Sequence, residues 1–127
     1  MKLISFEQNG SNRVGAIENG FIYDFHSIDS NISDSMLGFL QGGEVQIKLA
    51  NKAINGGATS ISVDSVKLLS PLPNPPSVRD AYAFRQHVAT ARRNRGLEMI
   101  PEFDEIPIFY FTNHNAVFGP GNFPVLK

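Results

Sequence analysis

Within nine consecutive residues, Arg79-Asp80-Ala81-Tyr82-Ala83-Phe84-Arg85-Gln86-His87, the chain carries a carboxylate, a phenol, guanidinium groups, an amide and an imidazole. These groups can, in turn, bind a hard cation, direct a single hydrogen bond, clamp a carboxylate and take a proton near neutral pH. A helix starting near Asp80 would rotate successive side chains by about 100°. That rotation predicts one face made of Phe84, His87, Val88, Ala91 and Arg95, with Asp80 close to it. A hard anionic ligand, a titratable base and a cationic anchor could then share one pocket. Each residue also has a plainer reading. Asp80 could be an N-cap accepting backbone amide protons; His87 could be a hydrogen-bonded core histidine; Tyr82 and Tyr110 could be packing residues with a polar tip.

The elements that must hold this run fall into two halves. Leu3 to Phe6 and Val14 to Ile17 are rich in strand formers and flank the turn-prone Gln8-Asn9-Gly10-Ser11-Asn12. Asn19-Gly20 suits the two positive φ angles of a type I′ turn, and Phe21 to Phe25 follows as the return strand of a hairpin within a three-stranded meander. Ser33 or Asp34 can cap a short helix through Met36, Leu37, Phe39 and Leu40 that stops at Gly42-Gly43. Glu44 to Ile54 reads as a second helix with Ile47, Ala50 and Ile54 on its apolar face, ended by Gly56-Gly57. Ile61 to Val63 and Val66 to Leu69 read as short strands. Residues 1–69 are therefore expected to form a small α+β module.

Residues 70–77 hold four of the eight prolines and read as an extended, stiff connector. Beyond it the composition changes, since five of the six arginines lie between Arg79 and Arg95. A helix is expected from about Ala83 to Asn94, then a loop through Pro101 to Glu105, and Glu98, Glu102, Asp104 and Glu105 are read as solvated loop residues. Ile108-Phe109-Tyr110-Phe111 reads as a strand too apolar to face water on both sides. Val117-Phe118-Gly119-Pro120-Gly121 is a turn with no phosphate-cradle signature, and Phe123-Pro124-Val125-Leu126 is a candidate edge strand. One helix and one strand cannot close a core of their own. Residues 78–127 are therefore expected to be the beginning of a larger domain, or to pack on the first module or on a partner.

Composition narrows the function classes. The chain has 127 residues, is 42% hydrophobic and has a net charge of −1, so no global field favours nucleic acid or an anionic membrane surface. The arginine group lacks interleaved aromatics and a basic background, which argues against a nucleic-acid patch. With no cysteine there are no disulfides, thiolate metal sites or cysteine nucleophile. No signal-peptide apolar region and no run of about 18 apolar residues is present, and the expected location is cytoplasmic. His26 and His114 have no partners at useful spacing and are assigned no role.

Asp80-Ala81-Tyr82-Ala83-Phe84-Arg85-Gln86-His87, then Arg95-Gly96 and Ile106-Pro107-Ile108-Phe109-Tyr110, resemble the start of the catalytic domain of fumarylacetoacetate hydrolases. The small leading module and the Leu69-Ser70-Pro71-Leu72-Pro73 connector are also similar to that family, with the match running from about residue 68 to residue 121. The resemblance implies an α+β fold: a small N-terminal hairpin and helix module, then the opening of a mixed, β-rich catalytic domain that is truncated here. It further implies a metal-dependent hydrolase of aromatic amino-acid catabolism that cleaves a carbon–carbon bond in a diketo acid, homodimeric at full length. Asp80 would ligate magnesium or calcium, His87 would activate water, and Tyr82, Arg95 and Tyr110 would hold substrate oxygens and the carboxylate. Hydratase, decarboxylase or isomerase activity on related oxo acids is the alternative within the family.

The residue types suit that chemistry. An oxygen-ligated cation polarises a diketone and holds enolate charge, and the guanidinium fork matches a carboxylate. Three further metal carboxylates and a carboxylate partner for the histidine are implied downstream. The interval from His87 to Arg95 is one residue shorter than in the founding enzymes, so Arg92 and Arg93 compete with Arg95 for the anchor role; the glycine after Arg95 favours it. The rival class is a non-catalytic binding or assembly module, or a degenerate relative, which would fold correctly without metal affinity. In isolation this segment is expected to be inactive.

Overall fold

The computed structural model describes residues 1–56 and 59–122. Among the described residues the fold is mixed α+β, with a five-stranded antiparallel sheet, a two-stranded antiparallel ribbon and five α-helices. Its first three strands, β1 (Lys2–Gln8), β2 (Ser11–Glu18) and β3 (Phe21–Asp24), form the expected meander. Both links are two-residue Asn-Gly turns with positive φ at each position, 51° and 77° at Asn9-Gly10 and 51° and 81° at Asn19-Gly20. This is the type I′ geometry whose twist matches that of the strands it joins. The short strands β4 (Ile61–Ser62) and β5 (Lys67–Leu68) complete a sheet of order β4-β3-β2-β1-β5, with Ile22 opposite Ile61 and Phe6 opposite Leu68.

Three helices supply the other side of the core. Helix α1 (Phe25–Ile28) was not expected; Asp24 caps it, accepting from the Ser27 amide at 3.3 Å and the Ser27 hydroxyl at 2.8 Å. Helix α2 (Met36–Gln41) is capped by Ser35, which accepts from the Gly38 amide, and not by Ser33 or Asp34. The Ser33 hydroxyl instead accepts from the Ser35 amide, which brings Ser35 into the capping position. Helix α3 (Gly43–Asn55) ends at Gly56, while Gly57 lies outside the described residues. Its buried face is Ala50 and Ala53, supported by Leu49 and Ile54; Ile47 is 43% exposed. Val14, Ala16, Phe25, Ile32, Met36 and Phe39 complete this core, with the Phe25 and Phe39 rings stacked at 5.4 Å.

The chain divides into two compact units: Met1–Pro75 with the segment from Asn115 onward, and Pro76–His114. Within the first unit the proline-rich stretch is fastened to the sheet. The Leu69 amide donates to the Ser5 carbonyl, the Ser5 hydroxyl donates to the Pro71 carbonyl at 2.8 Å, and Leu72 packs on the core. The returning turn at Gly119 comes so close to Leu68 and Leu69 that a Cβ there would lie 2.5 Å from the Leu68 carbonyl oxygen. Phe123 to Leu126, read as an edge strand, lie outside the described residues. No helix among the described residues is long and apolar enough to cross a membrane.

The second unit contains strand β6 (Val78–Ala81), helix α4 (Arg85–Asn94), the single turn α5 (Glu102–Glu105) and strand β7 (Phe109–Thr112). Two expectations are corrected here. Asp80 does not begin a helix. It lies in β6, where the residues after Pro76 are already extended and find a ladder partner in β7. The stretch expected as loop at 101–105 contains α5. Strand β7 does pair in a sheet, yet Phe109, Tyr110 and Phe111 remain 40%, 64% and 70% exposed.

Candidate active site

The β6·β7 ladder decides which candidate residues meet. Asp80 lies directly opposite Tyr110 and Arg79 opposite Phe111. Because side chains alternate along a strand, the carboxylate and the phenol share one face while Arg79 and the two phenylalanines share the other. On that second face the Arg79 guanidinium stands 4.9 Å from the Phe111 ring centre and 5.4 Å from that of Phe109. Tyr82 follows the strand by one residue. Its amide donates to the Ile108 carbonyl at 2.9 Å, and its half-buried ring meets Phe103 edge-on at 6.1 Å.

Helix α4 then carries the imidazole and the arginines. Its N-cap is Phe84, in extended conformation and with no side-chain cap bond, so Asp80 does not act as the cap. Val88 is fully buried and Ala91 half-buried, as one helical face requires, whereas Phe84 is 82% exposed because it precedes the helix. His87 is exposed, in the first turn of α4, and is not a core histidine. Arg95 is the C-cap. At a rise of about 1.5 Å per residue, the eight positions from His87 to Arg95 separate them by roughly 12 Å along the axis. The two therefore lie at opposite ends of the helix.

That C-terminus is a Schellman motif. Gly96 takes φ 71°, its amide donates to the Arg93 carbonyl, and the Leu97 amide donates to the Arg92 carbonyl. The glycine thus fixes where Arg95 leaves the helix. Among the rival anchors, Arg92 donates to the Glu98 carbonyl and is engaged. Arg85 is engaged as well, forming a two-pronged bond to Asp104 at 2.8 Å and 3.2 Å. Arg93 and Arg95 are exposed and have no side-chain partner among the described residues. Asp104, read from sequence as part of a solvated loop, is thus an ion-pair member whose partner lies 19 residues away, a distance at which sequence spacing carries no signal. Arg85 holds the Asp104 carboxyl below its ordinary range, chiefly through this hydrogen bond.

A divalent cation of the kind the resemblance implies takes six to eight oxygens when it is calcium and an octahedral six when it is magnesium. Asp80 brings one carboxylate, and among the described residues no group of three His, Asp or Glu side chains comes together. These residues by themselves do not fit such an ion. His26 is accounted for by a 2.8 Å bond from its Nδ1 to the Ile32 carbonyl.

No family model and no curated protein matches the sequence. Among solved structures, a fumarylacetoacetate hydrolase from the psychrophilic Exiguobacterium antarcticum is similar over 94% of this chain, with a TM-score of 0.57 and 24% identity. The chain spans 38% of that protein's length. The likeness is one of fold: the mixed α+β architecture described above is a fumarylacetoacetate-hydrolase-like fold.

Proposed function

We propose that this chain supplies the leading part of the active site of a hydrolase that cleaves a carbon–carbon bond in a diketo acid. The observation that carries the reading is the pairing of Asp80 with Tyr110 across β6·β7, in a chain whose fold is similar to that of a fumarylacetoacetate hydrolase. In this reading His87, open to solvent, takes a proton from water. The water oxygen attacks one carbonyl carbon, the bond to the central carbon breaks, and that carbon leaves as an enolate that is then protonated. Tyr82 and Tyr110 donate to substrate oxygens and Arg95 clamps the terminal carboxylate. Asp80 would be one ligand of a magnesium or calcium ion, a site that the described residues do not complete.

The test is binding rather than turnover, because catalytic groups act as a unit and a partial set contributes little. Manganese, used as a paramagnetic probe, is expected to broaden the nuclear magnetic resonances of Asp80 and Tyr110, and Asp80→Asn is expected to abolish that. Addition of 2,4-dioxopentanoate should shift the signals of Tyr82, Arg95 and Tyr110. Manganese broadening that bypasses Asp80 would overturn the cation role. A second reading, a binding or assembly module without catalysis, is favoured by the exposure of Phe109, Tyr110 and Phe111. Its mark is a correctly folded chain that neither ion nor diketo acid perturbs.

A further inference from the structure

Tyr82 is held at its backbone by the amide bond to Ile108, and its ring meets that of Phe103 edge-on at 6.1 Å. Phe103 belongs to α5, a single turn with no buried residue and no side-chain cap. The turn's own bonds, such as Asp104 amide to Pro101 carbonyl and Ile106 amide to Glu102 carbonyl, set its shape but not its place. The two-pronged bond from Arg85 to Asp104, the residue next to Phe103, ties it to α4. Both partners are exposed, so the pair adds little stability. A planar fork on a carboxylate nevertheless fixes orientation as well as distance.

We infer that Asp104, held by Arg85, is a positioning residue: it places Phe103 edge-on against Tyr82 and thereby aims the Tyr82 phenol. This rests on the proposed role of Tyr82 as a donor to substrate oxygen. The chain of contact is short, Arg85 to Asp104, Asp104 to its neighbour Phe103, Phe103 to Tyr82, and every member lies within the second unit.

The experiment reads the nuclear Overhauser contact between the Tyr82 and Phe103 rings, and the affinity for 2,4-dioxopentanoate, in the full 127-residue chain. Asp104→Ala and Arg85→Ala are each expected to lose the ring contact and to weaken binding about fivefold, the scale of one neutral hydrogen bond. The exchanged pair, Arg85→Asp with Asp104→Arg, is expected to restore both. Phe103→Leu should weaken binding to the same degree with the ion pair intact. If the ring contact survives in Asp104→Ala, or if binding weakens in Tyr82→Phe but not in Asp104→Ala, the inference fails and the proposed function stands. If Tyr82→Phe binds as the parent does, the role of Tyr82 fails and the inference falls with it.

Discussion

In the first unit Phe6, Ile22, Phe25 and Ile32 are fully buried, while in the second Val88 is the large apolar side chain that is buried and Phe84, Tyr110 and Phe111 stand 82%, 64% and 70% exposed. The two regions solve different problems. Strands β1 to β5 and helices α1 to α3 enclose a core, so their side chains hold each other in place. The β6·β7 ribbon and α4 hold their geometry by other means: ladder pairing, a Schellman stop, one ion pair and ring contacts. All five candidate site residues lie in the second region. A two-stranded ribbon has little packing energy of its own.

The sharpest way to break this comparison is to truncate one phenylalanine in each unit. Phe25→Ala removes a buried ring stacked on Phe39 and is expected to cost about 3–5 kcal/mol in urea unfolding. Phe111→Ala removes a ring that is 70% exposed but stands beside Arg79 and Phe109, and should cost about 1 kcal/mol, the scale of an exposed cation–π contact. Equal costs would mean that the second unit has a core after all. A smaller effect tests the segment from Asn115 onward. In Gly119→Ala the added Cβ would lie 2.5 Å from the Leu68 carbonyl oxygen, an overpacking expected to cost about 1–3 kcal/mol. Hydrogen exchange should speed up at Leu68, Leu69 and the turn, and stay unchanged in α4.

The same contrast governs how far the sequence could be read. The Asn-Gly hairpins, α2, α3 and strands β4, β5 and β7 were legible because turn chemistry and apolar periodicity are local signals. Helix α1 was not, since four residues show no period and its only mark is the Asp24 cap. In the second unit, periodicity at Val88 and Ala91 gave α4 correctly. The extension of that helix back to Asp80 failed because ladder pairing with β7, a contact some 30 residues away in sequence, outweighs local rotation. The chemical run around Asp80 could be named from residue types. The partner that engages Arg85, and the burial that β7 lacks, are tertiary facts.

Caps offer a finer test within the well-packed unit. Ser35→Ala removes the acceptor for the Gly38 amide and is expected to cost about 1 kcal/mol, whereas Ser33→Ala leaves that bond in place and should cost less. The reverse order would return the cap to Ser33. In α4, which has no side-chain cap, substituting Phe84 by Asp should instead stabilise the helix, detectable as slower amide exchange in its first turn.

The smallest expected effect concerns acid. The carboxyl of Asp104 lies below its ordinary value of 3.8 because Arg85 donates to it, and the Arg85 guanidinium is raised in turn by the same bond. A carboxylate with a depressed folded-state value contributes its share of stability above the unfolded value and loses it as pH falls through the folded one. The Arg85–Asp104 fork is therefore intact at neutral pH and opens as pH falls through a folded-state value that lies below the ordinary 3.8. Global stability should scarcely register the change, since both groups face water. The contact between the Tyr82 and Phe103 rings should weaken over the same acid interval, and in Asp104→Asn it should show no pH dependence there. A contact that fades equally in both proteins would trace the loss to some other carboxylate of the turn, Glu102 or Glu105, and not to the fork.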